Sequence, residues 1–289
     1  MQIAHIIMAH KNPKQVAKLI KALEHQNFDY YIHVDKKTDI QEFIASLNDS
    51  KNLKFVKKRI RCNWGGYSFL KAINNSLAEV ILSGKHYDFI NLLSGQDYPL
   101  INSGRLYNFF ENLIGKNFIS YEENNNSSWW EQARLRYEKY HLTDFGIRGK
   151  YFFQELLNKF TPNRKFPLEV EFYGGPNSSW WTISAECALY VHETLKNNLK
   201  LNNFLKYSWG TDEFAIASLI MSSRFKDYTI NNNFRYIDWS EGNAHPKILR
   251  IDDYEKIISS NMIFARKFDM EVDIEIINKI GNKNSADNN

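Results

Sequence analysis

Two adjacent acidic residues, Asp212 and Glu213, stand in the stretch WGTDEFAIASLIMSS at residues 209–223. Apolar residues at helical spacing follow them and predict a helix with Thr211 as its N-cap. A carboxylate in the first turn of a helix is stabilised by the helix dipole by about 0.3–1 kcal/mol, and this alone would account for both acids. Glu213 is also a candidate general base, because a carboxylate can accept the proton of an attacking hydroxyl.

Three cations near the end of the sequence could bind a phosphate. Arg250 stands in KILR, and Arg266 and Lys267 follow the apolar run MIFA directly. A guanidinium fork and a lysine point charge that converge on oxygen atoms suit a phosphate group. Composition alone favours the alternative, in which the cations form ion pairs with acidic neighbours: Asp252, Asp253 and Asp269.

Two adjacent tryptophans, Trp180 and Trp181, follow Ser178 and Ser179 in a predicted strand. Neighbouring residues of a strand face opposite sides of the sheet. One ring is therefore expected in the core, and the other can line a cleft.

The alternation of elements predicts a mostly parallel sheet with helices on both faces. Apolar strands are expected at residues 2–9, 29–35, 53–56 and 87–94, with helical segments between them. Ligands of such sheets bind beyond the carboxyl ends of the strands. His10, Asp35 and Asp97 stand at these predicted ends, so the site is expected there.

Composition restricts the class of protein. The 289 residues, 43% of them hydrophobic, are sufficient for one large core, and no interdomain linker is evident. A net charge of +4 is too small to indicate a nucleic-acid-binding protein. Only two cysteines occur, and no apolar stretch approaches the roughly 18 residues of a membrane span. We expect one domain over residues 1–280 and a disordered polar tail over residues 281–289.

Several familiar nucleotide and hydrolase motifs are absent from the sequence. It contains no phosphate-binding loop, GxGxxG, HExxH or GxSxG. No Asp-x-Asp follows the early strands, where a nucleotide-sugar enzyme would usually hold a divalent metal. DMEVD (269–273) has alternate acids, but it lies far along the chain among the cations.

Seven segments, in this order, resemble the core-2/I-branching β-1,6-N-acetylglucosaminyltransferase and peptide O-xylosyltransferase family, glycosyltransferase family fourteen. They are IAHIIMAHKNPKQVAKLIKAL, YYIHVDKK, NWGGYSFLKA, FINLLSGQDYPL, GGPNSSWW, GTDEF and FARKFD. The resemblance covers roughly residues 2–275, and it is poor over residues 121–170. It implies a GT-A type fold built on a Rossmann-like sheet, inversion at the anomeric carbon, and no metal cofactor.

The resemblance also implies roles for individual residues. Arg266 and Lys267 would neutralise the leaving diphosphate in place of a metal, with Arg250 as a third cation. Glu213 would be the catalytic base. Further expected contacts to the uridine nucleotide are Met8, Asp35, Asn63 and Trp64. Expected contacts to the donor or acceptor sugar are Asp97, Ser179, Trp180 and Trp239.

Departures from the animal members concern location and partners. Those members are secreted, carry several disulfides and have a membrane-anchored stem. This sequence shows neither the disulfides nor the stem. We therefore expect a bacterial, cytoplasmic enzyme that can contact the inner face of the membrane peripherally. The expected substrates are a UDP-sugar, with N-acetylglucosamine and xylose both open, and a glycan or lipid-linked glycan acceptor.

Two other interpretations remain open from the sequence. A non-catalytic UDP-sugar or carbohydrate-binding protein could keep the same fold, although a binder needs no base at Glu213. A metal-dependent glycosyltransferase of another family could use the acids of DMEVD as ligands.

Overall fold

The computed structural model describes residues 1–122, 128–167 and 171–287. Its strands are β1 Ile3–Ala9, β2 Phe28–Val34, β3 Leu53–Phe55, β4 Phe89–Ser94, β5 Tyr98–Pro99, β6 Asn117–Ile119, β7 Trp181–Ser184, β8 Thr229–Ile230, β9 Arg235–Ile237 and β10 Phe264–Arg266. Its α-helices are α1 Pro13–Ala22, α2 Ile40–Leu47, α3 Tyr67–Ile81, α4 Ser103–Glu111, α5 Ser128–Glu138, α6 Lys150–Phe160, α7 Ala185–Asn197, α8 Leu199–Leu205, α9 Ala215–Met221, α10 Tyr254–Ile258 and α11 Glu275–Ala286.

A seven-stranded sheet in the order β3-β2-β1-β4-β7-β6-β8 forms the centre of the protein. Strands β3, β2, β1 and β4 are parallel, whereas β7 is antiparallel to both of its neighbours. The order 3-2-1-4 is that of a Rossmann-like half-sheet. The predicted α/β architecture, with a mostly parallel sheet, is therefore confirmed.

Strand β1 shows why its sequence is apolar throughout. Ala4, Ile6 and Met8 pack into one hydrophobic core. Ile3 and Ile7 point to the opposite side and pack into a second core. Because successive side chains of a strand alternate between faces, a strand covered on both faces needs apolar residues at nearly every position.

A smaller three-stranded sheet carries the C-terminal cations to the centre of the molecule. Strand β10 is antiparallel to β5 and parallel to β9. Its residues Phe264 and Ala265 are fully buried and hold the strand in place. Arg266 ends this strand, so the apolar run before the cation pair fixes where the cations stand.

Two local predictions differ from the structure. Thr211–Glu213 forms a 3-10 turn that follows Gly210, whose φ is 64°, and the α-helix begins only at Ala215. Thr211 is therefore not the N-cap of that helix. The turn is tightened because the Gly210 carbonyl accepts the Glu213 N–H.

The polar tail is also more ordered than its composition predicts. Helix α11 continues to Ala286, and Asn284 is buried and donates to the Pro99 carbonyl at 3.0 Å. Asp287 pairs with Arg105. Tertiary contacts thus order residues that lack an apolar face of their own; residues 288 and 289 lie outside the described residues.

Candidate active site

A cleft of about 470 Å³ opens at the carboxyl edge of β1, β2 and β4. This volume lies within the range of small-molecule sites, and the position is the one predicted for a parallel sheet. Ten residues expected at the site line it: Met8, Asp35, Asn63, Trp64, Ser179, Trp180, Glu213, Trp239, Arg266 and Lys267. Asp97 and Arg250 do not.

Asp35 follows β2 and is held by the backbone. Its Oδ1 accepts the Lys37 N–H at 2.8 Å, and its Oδ2 accepts the Cys62 N–H at 3.2 Å. These two bonds fix the carboxylate plane. Since each carboxylate oxygen can accept a second bond, Asp35 retains acceptor capacity toward the cleft.

The turn before α3 forms one rim of the cleft. Asn63 donates to Asp144 Oδ1 at 2.9 Å, so its amide is engaged with the protein. Trp64 has 68% of its surface exposed and packs edge-on against Trp209 at 4.9 Å between ring centroids. Gly65, with φ +67°, approaches so closely that a Cβ there would lie 2.2 Å from the Trp209 indole nitrogen. The rim therefore depends on a glycine at residue 65.

Arg266 is oriented by an ion pair and an aromatic ring. Its Nε donates to Asp97 Oδ1 at 3.0 Å, and its guanidinium lies 4.3 Å from the Trp180 ring centroid. The Asp97 side chain is almost completely buried and also accepts the Ser94 N–H. Burial raises the pKa of Asp97, although Arg266 opposes this. Asp97 was expected to contact a sugar. It is instead buried, bonded to Arg266 and outside the cleft lining.

Lys267, unlike Arg266, lines the cleft without an ion-pair partner among the described residues. It is half-buried, and no ion pair joins it to any acid in the described parts of the chain. Burial, and then the nearby cations Arg266 and Lys11, lower the pKa of Lys267. Excess positive charge next to a cleft favours an anionic ligand.

Arg250 does not join these cations. Its side chain is exposed, and its backbone N–H donates to Asp253 Oδ2 at 3.0 Å. This bond fixes residue 250 at the start of the 3-10 turn Ile251–Asp253, away from the cleft lining. The position of Arg250 therefore does not support its expected role as a third cation at the phosphate.

Two acids face the cleft from the 3-10 turn. Asp212 Oδ2 accepts the Ser179 hydroxyl at 2.7 Å. Glu213 Oε2 accepts Trp129 Nε1–H at 3.1 Å and pairs with Arg136. Burial raises the pKa of both carboxyl groups, while Arg136 favours the ionised form. Glu213 is thus a half-buried carboxylate at the cleft with a raised pKa, and a raised pKa makes a carboxylate a stronger proton acceptor.

The remaining tryptophan expected at the site, Trp239, donates from Nε1 to Asn177 Oδ1 at 2.8 Å. Its ring still lines the cleft. The hydrogen bond therefore fixes the orientation of a ring that stands at the cleft.

Sequence reasoning did not indicate several residues that hold the site in place, among them Trp129, Arg136, Asp144 and Trp209. Three lie in residues 121–170, where no family motif was found, so no signal indicated them. Trp209 directly precedes Gly210 and the TDE turn, and its position next to that motif could have identified it.

Two of the three acids of DMEVD, Asp269 and Asp273, are engaged in other contacts. Asp269 binds Lys11 and Asn12 at 2.5 and 2.9 Å. Asp273 accepts the Ile251 N–H and the Glu275 N–H at the start of α11. Across the described residues, no three His, Cys, Asp or Glu side chains are grouped as metal ligands.

The sheet and the charged cleft at its carboxyl edge define an α/β protein with a site suited to an anionic ligand. A family model described as Core-2/I-Branching enzyme matches residues 3–262. The chain belongs to this family, as the motif order predicted.

Relatives and solved structures add context to this assignment. The chain is 22% identical to a xylosyltransferase of Ciona intestinalis over 97% of its own length and 34% of that protein. It is 24% identical to human xylosyltransferase 2 over 96% of its own length and 33% of that protein. It therefore spans about a third of these curated relatives. Similar solved structures include apo mouse xyloside xylosyltransferase 1 (11% identity, 91% of this chain and 97% of that chain, TM-score 0.42) and an active-site mutant of LgtC (9%, 92% and 86%, 0.46).

Within the described ranges, none of the helices combines the length and the apolar character needed to cross a bilayer.

Proposed function

We propose that the protein is an inverting, metal-independent glycosyltransferase of GT-A type that moves a sugar from a UDP-sugar to a hydroxyl of a glycan acceptor. The observation that carries this proposal is the convergence of Lys267, Arg266 and Glu213 on one cleft. A cation without an acidic partner suits a diphosphate, and an ionisable buried carboxylate suits a base.

The reaction needs one displacement. Glu213 takes the proton of the acceptor hydroxyl while that oxygen attacks C1 of the donor sugar. The bond between C1 and the UDP oxygen breaks, and the electron pair leaves with the diphosphate. Arg266 and Lys267 stabilise the charge that develops there; one such preorganised group is commonly worth about 3–4 kcal/mol.

The other cleft residues bind and orient the donor. The Asp35 carboxylate, beside Met8, accepts hydrogen bonds from the uridine. Ser179 is held by Asp212 next to the donor sugar, and Trp239 offers a ring for stacking on the acceptor. The xylosyltransferase relatives favour xylose as donor sugar, with N-acetylglucosamine as the alternative.

Calorimetric titration tests the nucleotide and metal parts of the proposal. The purified protein is titrated with UDP, UDP-xylose, UDP-N-acetylglucosamine and UDP-glucose, with EDTA present throughout. We expect binding of UDP and preference for one sugar nucleotide. Binding that appears only after Mn²⁺ is added would overturn the metal-independent mechanism, and binding without any turnover of acceptors would favour a carbohydrate-binding protein.

A further inference from the structure

Helix α6, Lys150–Phe160, is attached to the protein by its polar side. Gln154 Oε1 accepts the Leu142 N–H at 2.9 Å. Asn158 accepts the Tyr140 N–H at 2.7 Å and donates to the Tyr140 carbonyl at 2.9 Å. Lys150 Nζ donates to the Thr143 carbonyl at 2.7 Å. Since side chains four residues apart share one face of a helix, these three form a single polar face turned inward.

The apolar side of α6 consequently faces outward. Residues Phe152, Phe153, Leu156 and Phe160 recur at helical spacing and are all exposed; Phe160 has 75% of its surface accessible. No residue of this helix is buried. A surface helix normally buries such a stripe, so an outward stripe marks an interaction surface.

Exposed charges around the stripe are mainly positive. Between residues 138 and 165, the exposed charged side chains are three cations, Arg148, Lys159 and Lys165, and one acid, Glu155. Phenylalanine and leucine on one side with Lys and Arg at the border are typical of helices that lie in the interface of an anionic bilayer. A second copy of this chain fits less well, because a symmetric contact would bring the same cations together.

The loop before α6 joins the helix to the cleft rim. Asp144 accepts hydrogen bonds from Asn63 and from both the backbone N–H and hydroxyl of Ser68. A surface bound by α6 would therefore lie beside the rim that carries Trp64. This arrangement would hold the cleft close to the head groups of a membrane.

We propose that α6 is a docking helix for an anionic lipid surface, into which Phe152, Phe153, Leu156 and Phe160 insert. Docking itself does not depend on the proposed function. Its consequence does: if the cleft is a glycosyltransferase site, docking selects acceptors that carry their glycan on a lipid at that surface.

Flotation with lipid vesicles tests the docking. The full chain is mixed with vesicles of phosphatidylcholine alone or with about one third phosphatidylglycerol, and the bound fraction is measured after density centrifugation. We expect binding to the anionic vesicles that weakens as ionic strength rises. The double variant Phe152→Ser/Phe160→Ser should bind about tenfold less or weaker still, because two aromatic anchors are lost.

A matched control uses exposed leucines outside α6. Leu82→Ser/Leu199→Ser removes comparably exposed apolar side chains and should bind vesicles like the wild type. Arg148→Gln/Lys159→Gln should lose the preference for anionic lipid while retaining the apolar stripe.

Several outcomes would overturn the docking. They are no flotation of the wild-type chain, equal flotation of the Phe152→Ser/Phe160→Ser variant, or equal binding to both vesicle types. A wild-type dimer that this variant dissociates, without vesicle binding, would assign the stripe to self-association. UDP calorimetry on the same samples separates the two proposals: lost flotation with retained UDP binding is a failure of docking only, and flotation without UDP binding is a failure of the proposed function only.

Discussion

The cleft and helix α6 present opposite surfaces to their surroundings. In the cleft, charged side chains are drawn inward: Arg266 is held by buried Asp97, and Glu213 is shielded by Trp129 and Arg136. In α6, polar side chains also point inward, and the phenylalanines on the opposite face of the helix are consequently exposed. The cleft is thus organised to stabilise charge, whereas α6 leaves apolar area available. Both arrangements cost folding free energy, and the proposed nucleotide-sugar and lipid partners would each stabilise one of them.

The largest effect is expected from Glu213→Gln in the cleft. The amide cannot accept the acceptor's proton, so turnover should fall by about 10²–10⁴-fold while UDP affinity stays nearly unchanged. Initial rates and calorimetry measure the two quantities. Glu186→Gln, at an exposed acid paired with Arg224, is the control. Wild-type turnover in Glu213→Gln would remove this residue from the mechanism.

Lys267→Ala should reduce UDP affinity by about 10–100-fold, because a charge-assisted hydrogen bond is worth roughly 1.5–3 kcal/mol. Calorimetric titration with UDP measures the change. Lys14→Ala removes an exposed lysine of α1 and should leave UDP affinity unchanged. Equal affinities for wild type and Lys267→Ala would refute the phosphate role of this lysine.

Two glycine substitutions can separate the cost of a steric contact at the cleft rim from the cost of backbone strain alone. Gly65 and Gly84 both have positive φ, at +67° and +72°, but only Gly65 has neighbours where a Cβ would lie. Gly84→Ala should cost about 1–2 kcal/mol of unfolding free energy through strain alone. Gly65→Ala should lose about 1–3 kcal/mol more, because its Cβ displaces Trp209, and should also weaken UDP binding. Denaturant titrations that give equal losses would show that Trp209 moves aside freely.

The smallest effects are expected in α6, where removing a polar side chain should destabilise the helix more than removing an apolar one. Asn158→Ala leaves two backbone groups of Tyr140 without partners and should destabilise α6 by about 1–2 kcal/mol. Phe160→Ser changes an exposed side chain and should stay within about 0.5 kcal/mol of the wild type. Hydrogen exchange of the α6 amides measures both. If Phe160→Ser opened the helix more than Asn158→Ala, the apolar stripe would be supporting the fold and could not serve as a free docking surface.

The central sheet and the position of the cleft could be predicted from the sequence. The apolar strands and the helices between them predicted a parallel sheet, and this placed Asp35 at the cleft because strand ends collect ligands. The order of the family motifs predicted that Glu213 and the cations of FARKF belong to one site, and they line the same cleft. The sheet and the shared cleft could be predicted because local periodicity and motif order are properties of the chain itself, whereas the roles of these residues stay predictions.

Only the tertiary structure decided which side chains act on each other. Asp97 ended a predicted strand like Asp35, yet β10 brings Arg266 against it and buries it. Arg250 resembled the other cations, but a bond to Asp253 holds it outside the cleft. Arg136 lies 77 residues from Glu213 in sequence, and no local pattern indicated the pair.

Helix α6 shows the same division most clearly. Its sequence places apolar and polar residues at helical spacing, although our sequence analysis assigned no helix there. The sequence could not determine which face turns outward. That was decided by the loop at residues 140–143, whose backbone groups need hydrogen-bond partners and find them in Lys150, Gln154 and Asn158. Burying polar backbone without partners costs more than exposing a few rings, so the polar face lies inward and the apolar face outward.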